Sequence, residues 1–214
     1  MRVLAIPVKS LGRSKSRLAP ICSPLERAAL TLAMLEDVLD ASLPIAGWET
    51  WVVSPDEAAL EIAARRGARI VPEETPSLLG AVRQVDREAT ERGADALAVV
   101  LADVALVTSA ALSAALHTIG PIVIAPAEDD LGTNVLVRRP PRAIRPRFGP
   151  DSYARHRREA DAKGLPVAVV RSRELAFDVD SPEDVVALVR SDLGGKAREV
   201  CLELDLEARI RVRT

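Results

Sequence analysis

The 214-residue sequence predicts an α/β fold with a mainly parallel (mixed) sheet and helices on both faces. Three observations predict it. Short apolar runs recur along the chain and alternate with longer stretches of helical spacing. One of these runs, Ala96 to Leu101, is apolar without a break, as in a strand buried on both faces. The joints between runs carry helix-start signals, Ser23-Pro24 and Ser181-Pro182 among them. Repeated alternation of strands and helices favours parallel pairing with crossover helices.

Each element follows in order. Val3 to Val8 is the first strand, followed by a basic loop, Lys9 to Pro20. Ser23-Pro24 opens a helix whose Leu25, Ala28, Ala29, Leu32, Leu35, Val38 and Leu39 form an apolar stripe. Thr50 to Val53 is a second strand, ended by Ser54-Pro55-Asp56, a further cap. Ala58 to Arg66 is a short helix closed by Gly67, and Ala68 to Val71 a third strand. Leu78 to Arg92 is helical, and the apolar strand Ala96 to Leu101 ends at Ala102-Asp103. Thr108 caps a helix running through Leu116, and Ile122 to Ala125 is a strand. An acidic loop, Glu128-Asp129-Asp130-Leu131-Gly132, leads to the strand Thr133 to Val137. A Pro- and Arg-rich loop spans Arg138 to Arg147, Asp151 to Lys163 is helical, and Val167 to Val170 is a strand. Ser181-Pro182-Glu183-Asp184 opens a last helix to about Val189.

These elements outline a domain over residues 1–190, with 191–214 as a C-terminal extension. In the extension Val200, Leu202, Leu204 and Leu206 alternate with polar residues, as do Ile210 and Val212. That period predicts one or two amphipathic edge strands between Arg198 and Arg213. They either pair as a hairpin or cover a partner subunit in a homodimer.

Composition narrows the function classes. Hydrophobic residues make up 48% of the chain but aromatics only 2%, so the core is built from Ala, Val, Leu and Ile. The net charge of -2, with both signs interspersed, argues against a nucleic-acid partner. Phe148, Tyr153, Phe177 and the two tryptophans are too scattered to form a base-stacking platform. Cys22 and Cys201 have no metal-ligand spacing and read as thiols in a reducing compartment. The opening apolar run lacks a cleavage site, and no segment reaches the roughly 18 apolar residues of a membrane span, which places the protein in the cytoplasm away from membranes.

Three features fall beyond the carboxyl ends of strands, where open parallel sheets bind ligands. The basic loop packs Lys9, Arg13, Lys15 and Arg17 among small residues such as Ser10 and Gly12, with no acid. Backbone N–H groups, ammonium heads and guanidinium forks can converge there on one polyphosphate. Two of the chain's four lysines, Lys9 and Lys15, lie in this loop. Asp103 ends the most apolar strand, and Asp178 and Asp180 share a face if the backbone between them stays extended. Carboxylates from separate strands opposite a phosphate loop suit Mg2+, a hard ion held by one or two carboxylates plus phosphates.

A second group is Gly132-Thr133-Asn134 with Phe148-Gly149-Pro150-Asp151-Ser152-Tyr153. Thr133 and Ser152 supply hydroxyls, Gly149 allows close backbone approach, and Ser152 starts a helix. The same residues also serve as ordinary turn and cap residues, and Asp151 or Ser152 would make a good N-cap. His117 reads as a helix-end residue, while His156, among Arg155, Arg157 and Arg158, could touch a substrate anion. No Ser-His-acid or Cys-His set is present, which points to direct transfer without a covalent enzyme intermediate.

These segments together resemble one family. Ile6-Pro7-Val8-Lys9-Ser10-Leu11-Gly12-Arg13-Ser14-Lys15-Ser16-Arg17-Leu18 resembles the opening of the guanylyltransferases that make the phosphodiester precursor of coenzyme F420. Gly132-Thr133-Asn134, Phe148 to His156 and Asp178-Val179-Asp180-Ser181-Pro182-Glu183-Asp184 follow in the same order, so the resemblance covers residues 1–190. It implies a nucleotide-diphospho-sugar-transferase-like fold and transfer of GMP from GTP, with release of pyrophosphate, to phosphoenolpyruvate, with 2-phospho-L-lactate or 3-phosphoglycerate as the alternative acceptors; an Arg- and Ala-heavy, Lys-poor composition tilts the reading to the first. Under it, Lys9, Ser10, Gly12, Arg13, Lys15 and Arg17 bind the nucleotide, with Lys9, Lys15 and Arg17 catalytic. Thr133, Gly149 and Ser152 hold the acid, and Asp103, Asp178 and Asp180 hold Mg2+. The chain departs from the family at Leu78-Leu79-Gly80-Ala81, where Gly-Leu-Asn is usual, and at Val104-Ala105-Leu106, where Leu-Pro-Leu is usual. Two other readings stay open: a nucleotidyltransferase acting on a sugar phosphate or molybdopterin, whose Gly-x-Gly-x-x loop is absent, and a non-catalytic nucleotide-binding module.

Overall fold

The computed structural model describes residues 1–129 and 131–211. Within them, β1 (Arg2–Pro7), β2 (Trp48–Ser54), β3 (Arg69–Pro72), β4 (Ala96–Val100), β5 (Ile122–Pro126), β6 (Thr133–Arg138) and β7 (Val167–Val169) form one sheet. Their order is β3-β2-β1-β4-β6-β5-β7. The pairs β1–β2, β1–β4, β2–β3 and β5–β7 are parallel. Only β6 runs against its neighbours, β4 and β5, which makes the sheet mixed. This reversal matters for the site. It brings the start of β6 to the rim where β1 and β4 end, and Leu101 N–H donates to Asn134 O at 3.0 Å there.

The helices are α1 (Pro24–Ser42), α2 (Glu57–Arg65), α3 (Leu78–Glu91), α4 (Ser109–His117), α5 (Ser152–Asp161), α6 (Arg173–Ala176), α7 (Pro182–Arg190), α8 (Lys196–Glu203) and α9 (Leu206–Arg211). Strand side chains point alternately to the two faces, and the core divides accordingly. Leu4, Ile6, Ala98 and Val100 bury against Leu35, Val38 and Leu39 of α1 and Leu112 of α4. Val3, Ala5 and Leu97 face Ala81, Val85 and Ala89 of α3. Val99, Ile124 and Leu136 face Tyr153 and Ala160 of α5. The apolar run of β4 is therefore covered on both sides, as its sequence predicts.

The predicted caps at Ser23, Thr108 and Ser181 form, the first and last as capping boxes with Glu26 and Asp184. Asp56 stands at the start of α2 but its carboxylate serves a different partner, the Leu11 N–H at 2.8 Å. Asp151 precedes α5 in the left-handed region, without a side-chain cap.

The C-terminal extension corrects the sequence expectation. Residues expected to form edge strands form two helices, α8 and α9. Val212 and Arg213 lie outside the described residues. Ala197 and Cys201, four apart, share one helix face and bury with Leu206 against Leu18, Leu30, Met34 and Val185. Leu202, in the middle of the apparent alternation, is exposed. The deciding interaction is tertiary: the Asp37 carboxylate of α1 accepts the Lys196 and Ala197 N–H groups at 2.7 and 2.9 Å, satisfying the first turn of α8. A Cβ at Gly195 would run into that carboxylate, so the approach needs glycine.

Candidate active site

The site begins where β1 ends. The basic loop folds into two 3-10 turns, Leu11–Arg13 and Ser16–Leu18. It is pinned at several points. Leu18 is buried in the core, Ser14 Oγ donates to Leu11 O at 2.8 Å, and the Thr31 and Ser14 hydroxyls meet at 2.9 Å. Between the turns Lys15 adopts a left-handed conformation (φ 50°, ψ 43°), a strained position for a side chain with a Cβ.

Lys15 carries the central interaction. Its Nζ lies 2.7 Å from Asp103 Oδ2 and 2.9 Å from Asp180 Oδ1, with the side chain only 6% exposed. Asp103 follows β4, and its carbonyl accepts the Val179 N–H at 3.2 Å, which zips the two aspartate segments together. Asp180 is set by its own N–H, which donates to Asp184 Oδ2 at 2.9 Å inside the α7 capping box. Asp178 accepts from Asn134 Nδ2 at 3.2 Å. One oxygen of each aspartate lies within 4.8 Å of the others, a set that could hold a metal ion. Among the described residues Asp103 Oδ1 is buried without a hydrogen-bond partner, so a cation there would satisfy it.

The electrostatics follow from this crowding. Burial alone would raise the Asp103 carboxyl, but the Lys15 ammonium overrides it and holds the group below its ordinary value. Burial and the nearby Asp103 charge push Asp178 up to about 6. Burial works against the charged Lys15 amine, and its two carboxylate partners more than offset it, so its affinity for the proton is raised.

Lys9, Lys15, Arg17, Asp103 and Asp180 line one open cavity, together with Leu78 at the start of α3. Ser10 and Gly12 are not among its lining residues. The structure describes the Arg13 backbone, within the first 3-10 turn, but not its side chain.

Thr133, Gly149 and Ser152 form a neighbouring group rather than part of that cavity. Thr133 Oγ1 lies 3.1 Å from His156 Nδ1, and His156 Nε2 accepts the Arg147 N–H at 2.8 Å. An Nε2 that accepts must be unprotonated, so Nδ1 carries the hydrogen and donates it to Thr133. Gly149 has φ +115°, and its carbonyl accepts the Ser152 N–H at 3.1 Å at the start of α5. His156 is fully buried, which corrects its reading as an anion contact. Burial and the charges of Arg138, Arg155 and Arg147 push it down to about 3, so it is neutral and works as a brace.

Comparisons with known proteins identify the family. A family model described as guanylyl transferase CofC-like matches residues 1–212. The chain belongs to this CofC-like guanylyl transferase family. The match extends past residue 190, where the motif resemblance stops, and takes in α8 and α9. A protein of Sphaerobacter thermophilus named phosphoenolpyruvate guanylyltransferase is 43% identical over 190 residues, covering 87% of this chain and 91% of that protein. One of Phenylobacterium zucineum named 3-phospho-D-glycerate guanylyltransferase is 40% identical over 199 residues, covering 89% and 91%. A crystal structure of a candidate nucleotide-diphospho-sugar transferase from Desulfovibrio desulfuricans G20 superposes with a TM-score of 0.75 at 20% identity over 99% and 98% of the two chains, a likeness of fold.

In this CofC-like chain, two contributors were not singled out from sequence. Asn134 holds Asp178 and also contacts the Leu175 and Ala176 carbonyls at 3.1 and 3.0 Å, joining the aspartate cluster to the strand that carries Thr133. Asp184 orients Asp180. The signal for Asn134 was its place beside Thr133 in a glycine-led triplet, and for Asp184 its capping position three residues after Ser181.

Proposed function

We propose that this chain transfers GMP from GTP to phosphoenolpyruvate, releasing pyrophosphate, as a step toward coenzyme F420 in the cytoplasm. The observation that carries the reading is the shared cavity of Lys9, Lys15, Arg17, Asp103 and Asp180. A phosphate oxygen of the acid attacks the α-phosphorus of GTP in line. A new P–O bond forms, the bond from the α-phosphorus to the bridging oxygen breaks, and its electrons leave with pyrophosphate. The chain's task is to bring two polyanions together and to neutralise the charge that develops.

Lys9 and Arg17 stabilise the β and γ phosphates and the departing pyrophosphate, with Lys15, Arg13 and the backbone of Ser10 and Gly12 completing the nucleotide loop. Thr133 offers its own hydroxyl hydrogen to the acid, because His156 already donates to its oxygen. Gly149 and Ser152 hold the acid's remaining negative charge, Ser152 through its hydroxyl at the positive end of α5, since its N–H already donates to the Gly149 carbonyl. The three aspartates are all-oxygen donors with one unpartnered oxygen, a set that fits Mg2+. When bound, that ion supplies charge neutralisation between nucleotide and acid.

Phosphoenolpyruvate is the acceptor named for the 43% identical relative, and 3-phosphoglycerate for one at 40%. Incubation with GTP, Mg2+ and phosphoenolpyruvate, 3-phosphoglycerate or 2-phospho-L-lactate separately, with mass spectrometry of the products, tests the reading. The guanylylated phosphoenolpyruvate is expected as the dominant product. A dominant product from another acid would move the assignment to that acid, and no product with any of them would overturn it.

A further inference from the structure

Sequence groups Lys15 with the cations that grip phosphate, yet its ammonium is turned onto two carboxylates, Asp103 at 2.7 Å and Asp180 at 2.9 Å. We propose that Lys15 is an internal counter-cation: it holds the aspartate cluster together before a divalent ion enters, and the ion's entry expels the ammonium into the cavity toward the nucleotide polyphosphate. This rests on the nucleotidyltransferase reading of the site.

Four observations support the exchange. First, Asp103 and Asp180 belong both to the ammonium's partners and to the oxygen set that could hold a metal, so the two cations compete for the same groups. Second, the Lys15 ammonium touches two of three carboxylates and Lys9 acts on Asp103 only from farther off, which leaves the cluster undercompensated. Among the described residues Asp103 Oδ1 has no hydrogen-bond partner, and the Asp178 carboxylate accepts from the neutral Asn134 amide. A divalent ion carries twice the charge and can take an oxygen from each aspartate, so it is the better partner. Third, Lys15 is held in the left-handed region while the ion pairs are made. That backbone conformation is fixed by the Lys15 carbonyl, which accepts the Leu18 N–H at 2.9 Å, so the side chain can turn while the backbone stays in place. Fourth, the loop is anchored on both sides, at Ser14 through Thr31 and at Leu18 in the core, whose N–H donates to the Lys15 carbonyl. Movement is therefore confined to the Lys15 side chain, and its destination is the cavity it already lines with Lys9 and Arg17.

The exchange converts metal entry into an ordering device. Without the ion, the ammonium compensates the cluster in part and one phosphate-binding cation is withheld. With the ion, the same event fills the carboxylates and delivers a cation to the polyphosphate.

Amine labelling tests this without reference to activity. The protein is treated with an acetylating reagent with and without saturating Mn2+, and each of its four lysines is quantified by peptide mass spectrometry. Lys163 and Lys196 lie away from the cluster and serve as internal references. Bound Mn2+ is counted independently by electron paramagnetic resonance. Lys15 labelling is expected to rise by about tenfold or more on Mn2+ binding while Lys163 stays constant, because protection is set by the closed population. Lys15→Met should bind Mn2+ at least as tightly as the native chain, since nothing must be displaced. Mn2+ binding with Lys15 labelling unchanged or reduced would overturn the exchange alone. Weaker Mn2+ binding by a folded Lys15→Met would do the same, by showing that the ammonium builds the site. Absence of Mn2+ binding to the native chain would overturn the metal reading and the exchange with it.

Discussion

Arg138 and Asp86 form a bidentate ion pair, 2.8 Å from Nη1 to Oδ2 and 2.6 Å from Nη2 to Oδ1, that ties the end of β6 to the middle of α3. The guanidinium is fully buried. Because α3 also supplies Leu78 to the active-site cavity, the pair fixes the helix that walls it. Removing one partner strands a buried charge, so Asp86→Ala is expected to lose about 3–5 kcal/mol of stability. Urea unfolding measures this, and a loss no larger than that of an exposed aspartate would contradict it.

Asp37 caps a helix from a distance. Asp37→Ala leaves two N–H groups of α8 without acceptors and is expected to cost about 1–3 kcal/mol. Gly195→Ala attacks the same junction by steric clash, and the two substitutions should be less than additive because they disrupt one contact. Denaturant melts of the single and double variants check this. Full additivity would mean that α8 does not dock through Asp37.

His156 gives stability a pH dependence with a definite sign. Its folded value is about 3 against an ordinary 6.5, so between those limits the unfolded chain binds a proton that the folded chain does not. Stability from this group is therefore present above pH 6.5 and falls as pH drops, with a limiting slope of ~1.4 kcal/mol per pH unit. Asp178, raised by burial to about 6, works in the opposite sense, so the comparison that isolates the imidazole is the native chain against His156→Asn. The stability difference between the two should shrink as pH falls from 7.5 to 5 in chemical denaturation (roughly the range set by this shift). A difference independent of pH would contradict a neutral buried imidazole.

On the proposed reading Thr133 serves the acid and not the nucleotide. Thr133→Val would then remove the hydroxyl offered to the acid and leave the basic loop untouched. The KM for phosphoenolpyruvate is expected to rise by roughly tenfold to a hundredfold, as for a lost hydrogen bond to a charged group. The KM for GTP should stay near its native value. A change confined to GTP would remove Thr133 from the acid site.

Much of this was legible in the chain, for local reasons. Continuous apolar runs such as Ala96 to Leu101 marked the strands, and Ser23-Pro24 and Ser181-Pro182 marked helix starts that the structure contains. The cationic loop and the aspartates at strand ends pointed to one rim, where Lys15 meets Asp103 and Asp180. What failed was decided by partners remote in sequence. The alternation of Val200, Leu202, Leu204 and Leu206 suggested strands, but the helix is selected by Asp37, 160 residues earlier. His156 lay among arginines and suggested an anion contact, whereas its ring is enclosed by Thr133, Arg147 and Phe148. That Lys15 turns to carboxylates rather than outward depends on Asp180, 165 residues away, and no local pattern encodes it.

The most direct test of the central claim, that cations and aspartates at one rim act together in guanylyl transfer, is pyrophosphate release by Asp103→Asn with GTP, Mg2+ and phosphoenolpyruvate. The variant is nearly isosteric, so circular dichroism should match the native fold while turnover falls by roughly 10^2–10^3 or more, as when one preorganised charged group is removed. Turnover near the native rate in the folded variant would contradict the account.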